Sequence, residues 1–385
     1  MATYEHASVP RIIIGPGALE KLPGLLAQQG ADLVVLVSDD GVERAGLVAR
    51  VQEVLRGSVE VRVYVAPSGE PVAADVDVAA AVVRDRPGAA VVGLGGGTAM
   101  DIAKLAAALA ASTEPVDHYF MKPDSYVGKR PSVLIPTTAG TGSEVTRTAI
   151  CADAEGRKMW CWGARLLPEL VLLDPTLTTS LTAMQTATSG VDAFAHAVEA
   201  VTGQRRNPLA TASGLQAISL VAQHLAMAIT APGYVPTRQG MQEAACLAGL
   251  ARENGGTGIA HTLGHALGAA YGIPHGVAVG AALRAVLPWN IIGDQELYAP
   301  VAAAFDPAAR PADLPRLYDE LLAAVGFDAA LEPYRQTRVD AGVLAEVCSL
   351  PENAPTARNN ARATNEVDLK SLCITLECAW NAAAV

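Results

Sequence analysis

GAAVVGLGGGTAMDIAKLAAALAA, residues 88–111, is an apolar run that breaks on glycines and resumes as an Ala- and Leu-rich segment. A short apolar run bounded by glycine reads as a buried strand, and the longer segment after it has the composition of a helix. At the junction Gly95, Gly96 and Gly97 leave bare backbone where a phosphate can approach, and the helix N-terminus behind them offers oriented N–H donors. The stretch lacks the GxGxxG spacing, and a tight turn alone would look much the same.

The same alternation extends on both sides. RIIIG, ADLVVLVSDD and VEVRVYVAP read as strands; GALEKLPGLLAQQG, ERAGLVARVQEVLRG and VAADVDVAAAVVRDRPG read as helices between them. SVLIPTT and PELVLLDP add two later strands. Such alternation predicts a parallel sheet covered by helices on both faces. Beyond about Thr182 the pattern changes to long segments such as PLATASGLQAISLVAQHLAMAI and RQGMQEAACLAGLAR, rich in helix formers. Two domains are expected: an α/β dinucleotide-binding domain over residues 1–180 and an all-helical domain over residues 181–385, with a cleft between them.

Composition narrows the partners. The 385 residues are 51% hydrophobic and 17% charged, with a net charge of −11, and the pI is near 5.1. This argues against nucleic acid or an anionic membrane surface, both of which need basic patches. The ample apolar surface favours association into a homodimer or larger homo-oligomer. No signal peptide is visible at the start, and apolar runs are expected to be cut well before about 18 residues, so no membrane span is predicted. The six cysteines form no CxxC pattern, which fits a reduced, cytoplasmic chain.

The second half carries the metal chemistry. Asp192 and His196 lie four apart in SGVDAFAHAVEA, His261 and His265 four apart in IAHTLGHALG, and His275 follows in GIPHG. Residues i and i+4 share a helix face, so each pair can present two ligand atoms from one side. One carboxylate with imidazoles suits iron or zinc rather than calcium or magnesium. On spacing alone both His261 and His265 qualify as ligands. His6, His118 and His224 stand apart.

IPTTAGTGSEVT, residues 135–146, adds hydroxyls at Thr137, Thr138, Thr141 and Ser143 that can bind phosphate, ribose or carboxamide. Asp39 sits at the end of LVVLVSD, where a carboxylate can accept both ribose hydroxyls and repel a 2′-phosphate. It could equally be a helix cap. Trp160 and Trp162, beside Lys158 in GRKMWCWG, could narrow a cleft, and Arg147 could meet an anionic tail. Core packing and a salt bridge are the more ordinary fates of these residues.

GGGTAMDIAK, PTTAGTGSEVT, the Asp192/His196 helix, HTLGHALG and GIPHG, in that order, resemble the iron-containing (group III) alcohol dehydrogenases. The resemblance implies a dehydroquinate synthase-like fold, with a parallel-sheet dinucleotide-binding domain followed by a helical metal-binding domain. It implies Asp192, His196, His261 and His275 as ligands of Fe(II), with Zn as the other candidate, and leaves His265 beside the nicotinamide as the proton relay. It further implies NAD contacts at Asp39, Gly95, Gly96, Gly97, Thr98, Asp101, Thr137, Thr138, Ser143, Lys158 and Leu177, Thr98 standing where the family more often has Ser. The implied activity is hydride transfer between a small primary alcohol, or its aldehyde, and NAD. The intact Asp101 and AGTGSEVT argue against a maleylacetate reductase of the same fold, and the full Asp-His-His-His set against a glycerol dehydrogenase. A scaffold that binds metal or cofactor without turnover would be expected to have lost a ligand or the glycine loop.

Overall fold

The computed structural model describes residues 3–7 and 9–382. Six strands, β1 (Arg11–Ile14), β2 (Leu33–Asp39), β3 (Glu60–Ala66), β4 (Ala89–Gly95), β5 (Ser132–Pro136) and β8 (Leu170–Leu173), form one parallel sheet in the order β1-β8-β5-β4-β2-β3. Alternate side chains of β2 go to opposite layers. Val35 and Val37 join helices α4 (Ala73–Arg84) and α5 (Gly97–Leu109), whereas Val34 and Leu36 join α1 (Leu22–Gln28) and α3 (Leu47–Leu55). Every residue of β4 is buried, as expected of a parallel strand covered on both faces.

The strand order reverses between β2 and β4, and ligand crevices in open α/β sheets form at such points, beyond the carboxyl ends of the strands. Asp39 ends β2, Gly95 ends β4, and the register pairs Gly95 with Pro136 at the end of β5. The glycine loop and the PTTAGTGS stretch therefore leave the sheet side by side.

From α6 (Ala183–Thr202) onward the chain is helical: α7 (Pro208–Thr230), α8 (Val235–Gly255), α9 (Ile259–Tyr271), α10 (His275–Gly293) and shorter helices to Ala382. A capping box starts α6, with Thr182 Oγ1 accepting from Gln185 N–H and the Gln185 side chain reaching back to the Thr182 N–H. From Gly190 to Thr202 every residue of α6 is buried, because α7, α8 and α10 surround it. Polar groups on α6 thus face the protein interior and need partners there.

The structure departs from expectation in three places. ERAGLVARVQEVLRG is not one helix: α2 (Asp40–Arg44) and α3 are separated at Ala45 and Gly46. An antiparallel hairpin, β6 (Thr148–Ala152) and β7 (Lys158–Trp162), was not anticipated, since its short strands mix charged, aromatic and cysteine residues. Two helices, α7 and α10, are long and apolar enough by composition to cross a membrane. In α7 no Asp, Glu, Lys or Arg interrupts the run, and Gly214 alone breaks it among the residue types expected to do so. Here α7 packs on α6 and α8, and α10 on α6 and α9.

The two halves meet closely at one seam. Gly142, with φ +59°, lies against α8 so tightly that a Cβ would stand 2.6 Å from both the Ala245 carbonyl oxygen and Gly249 Cα. Only glycine accepts both that backbone conformation and that approach.

Candidate metal and dinucleotide site

Asp192, His196 and Glu199 occupy positions i, i+4 and i+7 of α6, so all three project from one face into the interior. His261 comes from the first turn of α9 and His275 from the first residue of α10. One ligand atom from each of Asp192, His196, His261 and His275 lies within 4.8 Å of the others. His261 Nε2 is 3.6 Å from Asp192 Oδ1, His275 Nε2 is 3.5 Å from the same oxygen, and His196 Nδ1 is 3.7 Å from Oδ2.

These separations are too long for hydrogen bonds. They match an ion instead: four bonds of about 2.1 Å in tetrahedral array hold their donor atoms about 3.4 Å apart. Asp192 Oδ1, His196 Nδ1 and His261 Nε2 are buried with no hydrogen-bond partner, as is His275 Nδ1. Orphaned polar atoms are rare inside proteins, and a cluster of them fits a divalent ion. Burial opposes ionisation of Asp192, yet the surrounding imidazoles hold its carboxyl well below the usual carboxylate range.

Glu199 completes the site and was not singled out in the sequence. Its carboxylate accepts from the backbone N–H of Gly258 at 2.8 Å and of Ala260 at 2.7 Å, capping α9 where Gly258 has no side chain to do so. It also lies 2.5 Å from His261 Nδ1. With Nδ1 donating to Glu199, the lone pair of His261 is left on Nε2, facing the cluster. The available signal was the seven-residue spacing from Asp192.

His265 lies one turn beyond His261 and falls outside the ligand group. Its ring stands 5.4 Å from that of His275 and meets Trp160 edge-on at 5.9 Å. Burial first, then the charges of Lys158 and the neighbouring histidines, push its pKa well below the ordinary value, so the imidazole is neutral. His196, His261, His265 and His275 line a cavity of about 570 Å³ whose other wall includes Gly97, Thr98, Asp101, Thr141 and Ser143. The structure thus brings the metal cluster and the glycine loop to one cleft.

Around the glycine loop the fit is tight. Gly95, at φ +153°, could take no Cβ, since one would lie 2.6 Å from that of Ala99 and 3.0 Å from Asp39 Oδ2. Thr138 packs over Gly96 and Thr141 over Gly97, while the Thr137 N–H donates to the Gly95 carbonyl at 2.8 Å. Thr98 Oγ1 donates to the Gly69 carbonyl at 2.5 Å. Asp39 is a helix cap, with Oδ1 accepting from the Val42 N–H at 3.0 Å, while Oδ2 lies towards Gly95. Burial raises its pKa.

Three expected contacts are already engaged within the protein. Asp101 accepts from Ser143 Oγ at 2.5 Å and from Ile150 N–H at 2.9 Å. The buried Lys104 ammonium, 3.3 Å from Asp101, donates to Ser143 Oγ at 2.6 Å. These groups bind the glycine-loop helix to the hairpin, while still forming part of the cavity wall. Lys158 lies 2.9 Å from Glu70. The side chain of Leu177 belongs to the apolar core beneath the sheet; an expected contact from it could come only through its backbone.

Trp160 and Trp162 line the cavity rather than the core, because alternation along β7 sends Cys161 into the core and its two neighbours outward. Arg147 also lines the cavity, but its Nε is bound by Glu253 at 2.8 Å.

Comparison with known proteins agrees with this geometry. Residues 10–175 match the family model described as iron-containing alcohol dehydrogenase, and residues 186–373 that of the Fe-containing alcohol dehydrogenase family, C-terminal. The sulfoacetaldehyde reductase of Bilophila wadsworthia is 29% identical over 387 residues, covering 96% of this chain and 98% of that one. The probable alcohol dehydrogenase EutG of Salmonella typhimurium is 30% identical, covering 91% of each. A crystal structure of a 1,3-propanediol oxidoreductase superposes with a TM-score of 0.90 at 28% identity, covering 97% of this chain and 100% of that one.

Proposed function

The chain belongs to the iron-containing alcohol dehydrogenase family, and from that premise we propose that it interconverts a small primary alcohol and its aldehyde with NAD(H) as the redox partner and Fe(II) at the Asp-His-His-His cluster. The observation that carries this reading is the set of orphaned atoms on Asp192, His196 and His261, with His275 Nε2 3.5 Å from Asp192 Oδ1, in the same cleft as the glycine loop. The names of the relatives, a sulfoacetaldehyde reductase and a 1,3-propanediol oxidoreductase, support a small alcohol or aldehyde as substrate.

When bound, the ion supplies Lewis acidity towards the substrate oxygen and the nicotinamide takes or returns the hydride. The rest is the work of this chain. Glu199 orients His261; the glycine loop and the α5 N-terminus hold the pyrophosphate; Asp39 accepts from the adenosine ribose. Trp160, Trp162 and the buried histidines exclude water and hold the reacting carbons in line. His265, neutral and unpartnered at Nδ1, receives the alcohol proton in oxidation and passes it towards the solvent.

The proposal extends to a reducing, cytoplasmic setting, supported by six free cysteines of which five are buried, and to a homodimer or larger homo-oligomer, supported by the unpaired outer edge of β1. The test of function is NADH absorbance over a panel of primary alcohols. Turnover that a chelator abolishes and Fe(II) restores is expected; turnover indifferent to metal removal would overturn the proposal.

A further inference from the structure

Three successive N–H groups open α9, and two side chains from distant parts of the chain take them. Glu199 accepts from Gly258 and Ala260; between these, the Ile259 N–H donates to Asn360 Oδ1 at 3.4 Å, from a residue 101 positions further along the chain. A Cβ on Gly258 would stand 2.9 Å from Glu199 Oε1 and 3.2 Å from Asn360 Oδ1, so glycine admits both caps at once. His261 follows in the same turn.

Asn360 is buried, at 2% exposure, and its amide is fully engaged. Oδ1 also accepts from Asn290 Nδ2 at 3.2 Å, while Nδ2 donates to Asn290 Oδ1 and to the Arg362 carbonyl, each at 2.8 Å. This reciprocal pair rests on α10, the helix that begins with His275, and the Arg362 guanidinium lies 4.1 Å over the neighbouring Trp289 ring. Asn359 serves the adjoining turns. Its Nδ2 donates to the carbonyls of Gly255 at 2.8 Å and Thr257 at 2.9 Å, between α8 and α9, and its Oδ1 accepts from the Arg205 N–H at 2.9 Å, just after α6. Thr356 Oγ1 stands 2.8 Å from Oγ1 of Thr262, the residue after His261. Residues 356–362 therefore form a strap bonded to α9, to α10 and to the turn that ends α6, the three helices that carry the candidate ligands.

Apolar packing among such Ala-rich helices is non-directional and fixes their relative slide only loosely. A metal site needs its donor atoms placed within about 0.2 Å, and a fully satisfied polar network in a dry interior supplies that rigidity. Resting on the metal reading above, we propose that Asn360 is a positioning residue for the ion: through Ile259 and Asn290 it holds the first turn of α9, and hence His261, in register with α10 and His275. Asn360 and Asn290 are not part of the cavity lining, so both act only through the helices they join.

The test titrates metal-free wild type and variants with Co(II), whose visible bands report ligand geometry, and measures Fe(II) affinity by dialysis against a chelator. Asn360→Ala should bind about tenfold more weakly and show shifted Co(II) bands, with NADH affinity unmoved as a check on the fold. Asn290→Ala raises the helix propensity at its own position and leaves the Ile259 N–H its acceptor. It should move affinity and spectrum in the same direction by less, and it carries the test if Asn360→Ala does not fold. A merely structural role would lower the melting temperature of the metal-free variants and leave affinity and spectrum at their wild-type values, an outcome that overturns the proposal while the metal reading stands. A wild type that takes up neither ion ends the metal reading, and the proposal with it.

Discussion

Glu199 Oε2 and His261 Nδ1 stand 2.5 Å apart, so the carboxylate that caps α9 is also the group that aims a candidate metal ligand. The two functions share one side chain because Glu199 lies two turns along α6 from Asp192. Glu199→Gln keeps the shape but replaces the charged acceptor with an amide. Metal affinity should fall by about 10- to 100-fold, with the helical content of the protein unchanged. His261→Ala should lose the ion altogether and retain NADH binding. Metal analysis after dialysis, with circular dichroism as control, checks both, and a Glu199→Gln protein of wild-type affinity would remove Glu199 from the site.

His265→Ala separates the relay from the ligands. The variant should keep about one ion per chain and its fold, but lose turnover or its pH profile. The sign follows from the direction of the shift. Because the pKa of His265 is pushed below the ordinary value, the imidazole is a neutral proton acceptor at pH 7, and alcohol oxidation should decline only as the pH falls through that depressed value. In His265→Ala this acid limb of kcat should vanish. A metal-free His265→Ala protein would overturn the assignment.

Asp39 divides its two oxygens between a helix cap and the crevice, so the useful substitution is Asp39→Asn, which retains a competent cap. Without the charge, discrimination against NADP(H) should weaken by on the order of a kcal/mol. Since burial raises the Asp39 pKa, the wild-type preference for NAD(H) should also narrow on acidification, as the carboxylate protonates at a higher pH than an exposed one. Ratios of kcat/KM for the two cofactors at several pH values decide the matter; a wild type that prefers NADP(H) would show that Asp39 has another task.

Gly142→Ala should be among the most damaging single-methyl additions in the chain. The left-handed backbone costs about 1–2 kcal/mol for alanine, and the overlap with Ala245 and Gly249 has no flexible side chain to yield. A loss of about 3 kcal/mol or more in denaturant unfolding is expected; a loss below about 1 kcal/mol would mean that the seam can open.

The parallel sheet was legible because β2 and β4 are apolar runs punctuated by glycine, and the candidate metal site because Asp192 with His196 and His261 with His265 are each four apart, although only the family resemblance, and not the spacing, preferred His261 and His275 to His265. What sequence could not supply was pairing across distance. Whether Arg147 met a substrate or Glu253, 106 residues away, depended on how α8 packs against the strand ends. Glu199 was hidden because a glutamate on a helix ordinarily faces solvent, and only the burial of α6 on all sides makes it exceptional. The hairpin was missed because alternation over five residues is weak when one face meets a polar cavity.

That hairpin has a consequence for how such an enzyme diversifies. Thr148 pairs with Trp162 and Ile150 with Trp160, and all four side chains line the cavity, whereas Ala149, Cys151 and Cys161 are locked in the core. The cavity-facing positions can therefore be exchanged one at a time, altering the width of the chamber without disturbing the layer beneath. Insertion of a single residue would do the opposite, turning the tryptophans inward and the cysteines towards the substrate. Adaptation to new substrates is thus open to point substitution along these strands and closed to changes in their length.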